Sequence, residues 1–238
     1  MIDEPTPTPV GALGGTAALP TRGAGTFDGA CRALDVVVSA ALLVVLAPLL
    51  ALIALVIKLD SPGPAMFRQR RLGHELEPFT VHKFRTMEHG ATEEHHRRFV
   101  TELISSEVSG DGDGASGEGG SQYKMTEDTR VTRCGRLLRR SSLDELPQLW
   151  NVLRGEMSLV GPRPPIPYEV EQYPPHWFAR FAVKPGLTGL WQVNGRSDVS
   201  LEEMVALDVE YIRRRSLWLN LKILVWTVPA VLSTRGAW

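Results

Sequence analysis

Asp144 and Glu145 stand side by side in the stretch SLDELPQ (142–148). Arg133, Arg136, Arg139 and Arg140 lie just upstream, and Arg163 sits downstream in the turn Gly161-Pro-Arg-Pro. That is more positive charge than one carboxylate pair needs. Guanidinium groups hold phosphate oxygens in a bidentate fork. Two carboxylates ringed by arginines therefore suit phosphoryl transfer, in which one carboxylate attacks or binds a divalent cation while the cations offset the oxygens. The same residues also have a plainer reading. Ser142 to Glu145 spells a capping box, and acids in a first helical turn gain about 0.3–1 kcal/mol each from the helix dipole. The arginines would then be a solvated face touching anionic headgroups, and the two roles can coexist.

For this constellation to work it must be held by a helix. A helix over 143–153 with Ser142 as N-cap puts Leu143, Leu146, Trp150 and Leu153 on an apolar face and Asp144, Gln148 and Asn151 on another. Further on, VKPGLTGLWQVNGR (183–196) carries three glycines, a proline and polar Thr188, Gln192, Asn194 and Arg196. Backbone amides in such a loop can approach a nucleotide or sugar closely, although Gly and Asn turns are ordinary.

The strongest physical signal lies upstream. Residues 36–57 (VVVSAALLVVLAPLLALIALVI) form an uncharged run of 22 residues, more than the roughly 18 that argue for a membrane helix. Pro48 in its middle removes a backbone hydrogen bond and predicts a kink or break into two half-helices. Arg22 and Arg32 precede the run, and Lys58, Arg68, Arg70 and Arg71 follow it. Cationic residues favour the cytoplasmic side, so a re-entrant hairpin satisfies both flanks, while a single-pass anchor with a tolerated proline stays open on physics alone. After a turn-rich exit at 60–64, loose alternation over 65–87 around Gly73 and Pro78 predicts a small β-hairpin. Helical periods follow at 92–107, 143–153 and 200–214. The stretch 217–232 is apolar but broken by Asn220, Lys222 and Pro229. With Trp218 and Trp226 it fits an interfacial helix or a core helix.

Bulk properties narrow the partners. With 26 basic and 27 acidic residues the net charge is −1, and no basic stripe alternates with aromatics, so nucleic acid is not expected. Cys31 and Cys134 are far apart and lack metal-type spacing, so neither a disulfide framework nor a zinc site is suggested. Residues 1–29, rich in Pro, Gly, Thr and Ala, read as a disordered tail, and the acidic Gly-rich stretch 105–121 reads as a flexible loop. The catalytic domain is then expected over 61–238, behind a membrane-embedded segment over 30–60.

Four ordered motifs resemble the bacterial sugar transferases, the monotopic phosphoglycosyl transferases that begin lipid-linked glycan assembly. They are KLDSPGP (58–64) with FRQRRLG (67–73), KFRTM (83–87), SLDELPQ (142–148) running to GPRP (161–164), and KPGLTG (184–189) to QVNGR (192–196). The resemblance implies a helix-rich α+β monotopic membrane protein with a re-entrant broken N-terminal helix, a small β-hairpin and interfacial amphipathic helices. It implies that Asp144 attacks the β-phosphorus of a UDP-sugar, that UMP leaves, and that polyprenyl phosphate, such as undecaprenyl phosphate, then takes the sugar phosphate. Glu145, with Asp144, would hold Mg²⁺. Lys83, Arg139 and Arg163 match positions near the phosphates, and Arg196 falls in the last motif. The family's break is at a Ser-Pro pair, whereas this chain has Ala47-Pro48. The expected place is the bacterial inner membrane, with the catalytic domain on the cytoplasmic face among membrane lipids, and without the extra spanning helices of larger members. A conventional glycosyltransferase releasing UDP and a non-enzymatic scaffold are the rival readings. The sugar, the glycan and the oligomeric state, a homodimer included, stay open.

Overall fold

The computed structural model describes residues 24–90, 97–98, 101–102, 104, 130–194 and 199–232. The first element, α1, is a helix over Ala24–Asp60. It begins within the stretch assigned to the tail, so residues 24–29 are its opening turns. Helix α1 runs on through Pro48, so of the kink or break expected there only a kink is compatible with it. α1 is fastened to the rest of the protein at both ends. Near its start Arg32 donates to the carbonyls of Val152 and Leu153, at 2.6 and 2.7 Å. One turn on, the Asp35 carboxylate accepts from the Leu159 amide at 2.9 Å and the Ser158 hydroxyl at 3.1 Å. At its end Arg85 donates to the carbonyls of Ile57, Ser61 and Pro62. That is the favourable sense, because the last carbonyls of a helix lack partners and carry partial negative charge. Between these anchors Val44, Val45, Leu52 and Leu55 are more than half exposed.

The expected hairpin forms. Strands β1 (Met66–Leu72) and β2 (Pro78–Phe84) pair antiparallel, from Met66 opposite Phe84 to Leu72 opposite Pro78. Helix α2 (Arg133–Arg140) follows, its first turn capped twice: the Thr132 hydroxyl accepts from the Gly135 amide at 2.9 Å and the Asp60 carboxylate from the Cys134 amide at 3.1 Å. Gly135 lies so close to the Thr86 backbone that any side chain would collide with it.

The helix expected over 143–153 is two pieces. Residues Leu143–Gln148 wind as a 3-10 helix, and only Leu149–Arg154, labelled α3, is α-helical. A 3-10 helix turns about 120° per residue against 100° for an α-helix, so six such residues rotate the following face by roughly 120°. This is why Trp150, expected on the apolar face, is 48% exposed, while Leu149 and Val152 are buried. The capping box does not form either. Ser142 adopts φ 55° and ψ 18°, and its side chain makes no cap hydrogen bond.

Two short parallel strands, β3 (Ser158–Val160) and β4 (Gly186–Thr188), were not foreseen. They join two distant motifs, because Gly161 donates to the Thr188 carbonyl and Gly186 to the Pro162 carbonyl. The short helices α4 (Pro167–Val170) and α5 (Leu190–Asn194) flank them. Helix α6 (Leu201–Arg214) carries a true capping box, Ser200 with Glu203, where a helix over 200–214 was expected. The last helix, α7 (Leu217–Leu232), turns Asn220 and Ile223 inward and leaves Trp218, Val225, Trp226 and Val228 exposed. Of the helix expected over 92–107, the described residues are helical and Ile104 is buried. The tail before residue 24 and the loop 105–121 lie outside the described residues.

Candidate active site

Strand β2 and the 3-10 helix are packed together, and the charged site lies where they meet. Alternation along β2 sends Lys83 to the opposite side from His82. Lys83 reaches the Glu145 carboxylate at 2.8 Å, and Arg163 approaches the same oxygen at 3.7 Å. Glu145 is therefore held by two cations from separate elements instead of capping a helix. Burial pushes the Lys83 ammonium below its ordinary range, and the Glu145 charge pulls the other way.

The neighbouring Asp144 has its pKa raised from 3.8 to about 6. Burial is the largest cause and the Glu145 charge the next, while Lys83 and Arg139 oppose both. Two adjacent carboxylates in partly dehydrated surroundings cannot both ionise cheaply. Titratable groups shifted this far by burial and a specific neighbour mark functional sites. Just before them, Ser142 sits in the left-handed region that a residue with a Cβ rarely adopts, strain of the kind that collects at such sites.

The first four residues of KFRTM each have a part. Lys83 pairs with Glu145, Phe84 is buried beside Ile53, Ile57 and Leu138, and Arg85 caps α1. The Thr86 hydroxyl accepts from Arg139 Nε at 2.9 Å, which sets the guanidinium on the Asp144 side. GPRP is fixed as firmly. Arg71 is buried and donates to the Pro164 carbonyl at 2.9 Å, its other nitrogens held by Gln69. Arg180 donates to the Arg163 carbonyl at 3.1 Å and pairs with Asp208 at 2.6 Å. Asp208 is buried, which raises its pKa to about 6 against the pull of Arg180.

The structure thus brings together Asp144, Glu145, Lys83, Arg139 and Arg163. It turns Arg133, Arg136 and Arg140 outward, and Arg196 lies outside the described residues. The glycines of KPGLTG serve strand packing: a Cβ on Gly186 would collide with the Gly161 backbone, and one on Gly189 would meet the Gly161 carbonyl at 2.6 Å. Sequence reasoning missed the supporting roles of Arg71, Thr86 and the Arg180–Asp208 pair. The first two lie in motifs already singled out. Nothing in the spacing of Arg180 and Asp208 advertised their pairing.

Among the described residues no group of three metal-type side chains occurs. Asp144 and Glu145 nonetheless fit a magnesium ion, which commonly takes one or two protein carboxylates and completes its shell with phosphate oxygens and water. The raised pKa of Asp144 fits the same chemistry, since a divalent cation would relieve the repulsion between the pair. Among the described residues one helix, α1, is long and apolar enough to cross a membrane.

Residues 28–234 match the family described as "Bacterial sugar transferase". The chain is 46% identical to a UDP-glucose:undecaprenyl-phosphate glucose-1-phosphate transferase of Caulobacter vibrioides, over 87% of this chain and 71% of that protein. It is 40% identical to exopolysaccharide production protein ExoY of Sinorhizobium fredii, over 87% of each chain. It is 38% identical to an undecaprenyl-phosphate galactose phosphotransferase of Salmonella typhimurium, of which it spans 41%.

Proposed function

The chain belongs to the bacterial sugar transferase family, and from that premise we propose that it transfers a sugar-1-phosphate from a UDP-sugar to polyprenyl phosphate through a covalent adduct on Asp144. One observation carries this reading. The direct cations go to Glu145, while burial and the Glu145 charge hold Asp144 at a pKa of about 6. Such a carboxylate is ionised at neutral pH yet poorly stabilised, as a nucleophile should be.

In the first step an Asp144 oxygen bonds to the β-phosphorus as the bond from that phosphorus to the bridging oxygen breaks. UMP departs with the electron pair. In the second step a phosphate oxygen of the polyprenyl phosphate attacks the same phosphorus and frees Asp144 as carboxylate. Lys83 and Arg163 fix Glu145 and put positive charge beside the transferring group, and Arg139, steadied by Thr86, does so from the α2 side. Asp144 and Glu145 would hold Mg²⁺, which supplies charge neutralisation to the diphosphate when bound.

For membrane placement, the fastening of both ends of α1 to one domain, with bare apolar residues between, supports the re-entrant topology over a plain anchor. The exposed tryptophans of α7 favour an interfacial position. The domain then faces the cytoplasm from the inner membrane, its product feeding assembly of a surface polysaccharide.

The test is product identity. Nanodisc-held protein is given radiolabelled UDP-glucose, UDP-galactose or N-acetylated analogues with Mg²⁺ and undecaprenyl phosphate. UMP together with labelled lipid diphosphate supports the proposal and names the sugar. Release of UDP would overturn it in favour of simple glycosyl transfer.

A further inference from the structure

Asn151 lies in α3 with no exposed surface, yet its side chain is fully hydrogen-bonded. Strand β1 occupies one edge of β2. The backbone groups of Thr80 and His82 share the opposite edge, because alternate residues of an extended chain point their N–H and C=O the same way. Asn151 takes both: its Oδ1 accepts from the His82 amide at 3.1 Å, and its Nδ2 donates to the Thr80 carbonyl at 2.6 Å. The carboxamide thus stands where a third strand would. The remaining Nδ2 hydrogen goes to the Glu156 carboxylate at 2.7 Å, and the Glu156 amide donates back to the Asn151 carbonyl at 3.1 Å. Of side chains this size, asparagine alone offers an acceptor and two donors in one plane.

This junction joins the two halves of the charged site. Helix α3 continues the 3-10 helix that carries Asp144 and Glu145, and β2 carries Lys83 directly after His82. Among the described residues Glu145 is the one hydrogen-bond partner of the Lys83 ammonium, at 2.8 Å. A lysine is a point charge on a flexible stem, so where that charge rests depends on where the strand is fixed. We propose that Asn151 is a positioning residue for the transfer: by clamping the open edge of β2 to α3, it keeps Lys83 on Glu145 and its charge beside the reacting phosphate. The inference deepens the transfer reading given above and rests on it. Because Arg163 reaches Glu145 from another element, loss of the clamp should weaken the reaction without abolishing it.

Two measurements on the full-length protein in nanodiscs test this. The first is single-turnover release of UMP from a UDP-sugar that the wild type accepts. Asn151→Ala should slow it roughly tenfold to a hundredfold, the order of cost of an ångström-scale misplacement. The half-saturating donor concentration should stay within about threefold, since Lys83 bears on charge that develops in the transition state. In a Lys83→Met background the same substitution should change the rate less than about twofold, because the two residues act in series. A merely weakened fold would slow both backgrounds alike. Asn151→Ser, which leaves a smaller void, repeats the cycle. The second measurement is acetylation by acetic anhydride, read by peptide mass: Lys83 should label severalfold faster in N151A than in wild type, relative to the exposed Lys184. An unchanged rate in N151A, equal slowing in both backgrounds, or a Lys83 labelled no faster would each overturn the positioning role. A wild type that releases no UMP would instead remove the transfer reading, and the labelling would still decide whether Asn151 holds Lys83 in place.

Discussion

Replacing Asp144 by asparagine should abolish transfer and stabilise the protein, and the pairing of the two effects is the informative part. Raising the carboxyl pKa from 3.8 to about 6 corresponds to about 3 kcal/mol of unfavourable ionisation in the folded state, at roughly 1.4 kcal/mol per tenfold change. The folded state binds the proton more tightly than the unfolded chain. The penalty is therefore complete above pH 6, and stability returns as pH falls through 6 toward 3.8. Asparagine removes the penalty at neutral pH. Allowing for the shared titration with Glu145, a gain of about 2–3 kcal/mol is expected at pH 8, or roughly 4–12 °C for a chain of this size. The gain should shrink to about half by pH 5. Thermal unfolding of both proteins in the same detergent and scan rate, at pH 8 and pH 5, measures it. A lower midpoint for D144N at pH 8 would show that Asp144 is a structural anchor, and the argument from its destabilised charge would fail.

Glu145→Gln should behave oppositely. It strips the charge from the partner of Lys83, whose side chain is only 17% exposed, and should cost about 2 kcal/mol by leaving a desolvated cation, read as a lowered midpoint at pH 8. Asp208→Asn leaves Arg180 buried without its counterion. It should cost about 3 kcal/mol or more and loosen the Arg163 carbonyl, so that thermal stability and turnover fall together. Ser142→Gly should raise stability by about 1 kcal/mol, because glycine adopts a φ of 55° freely; a drop in midpoint would mean the hydroxyl has an unseen partner. Single-turnover UMP release should decline about tenfold per pH unit below pH 6 as Asp144 takes its proton, while Glu145 variants should shift that midpoint downward.

Much of this site was legible because its residues sit in short runs whose chemistry is local. SLDELPQ delivers Asp144 and Glu145, KFRTM delivers Lys83 and GPRP delivers Arg163, and Arg139 joins them from α2. The hairpin followed from alternation around Gly73 and Pro78, and α6 from the helical period over 200–214. What escaped depended on long-range geometry. The β3–β4 pair joins segments nearly thirty residues apart in strands of three residues, too short for any period to register. The phase of α3 was misjudged because Pro147 lies in a 3-10 helix, which composition does not distinguish from an α-helix. The outward turn of Arg133, Arg136 and Arg140 follows from which side of α2 meets α1, and a list of arginines cannot supply that.

The central claim is that Asp144 carries the sugar phosphate. It is tested most directly by incubating wild type with Mg²⁺ and its UDP-sugar without lipid acceptor, quenching in acid, and taking intact and peptide masses. The account predicts a mass increase of one sugar phosphate on the peptide containing Asp144, absent in D144N and discharged by polyprenyl phosphate. A protein that turns over but never gains mass, or gains it at another residue, would contradict it.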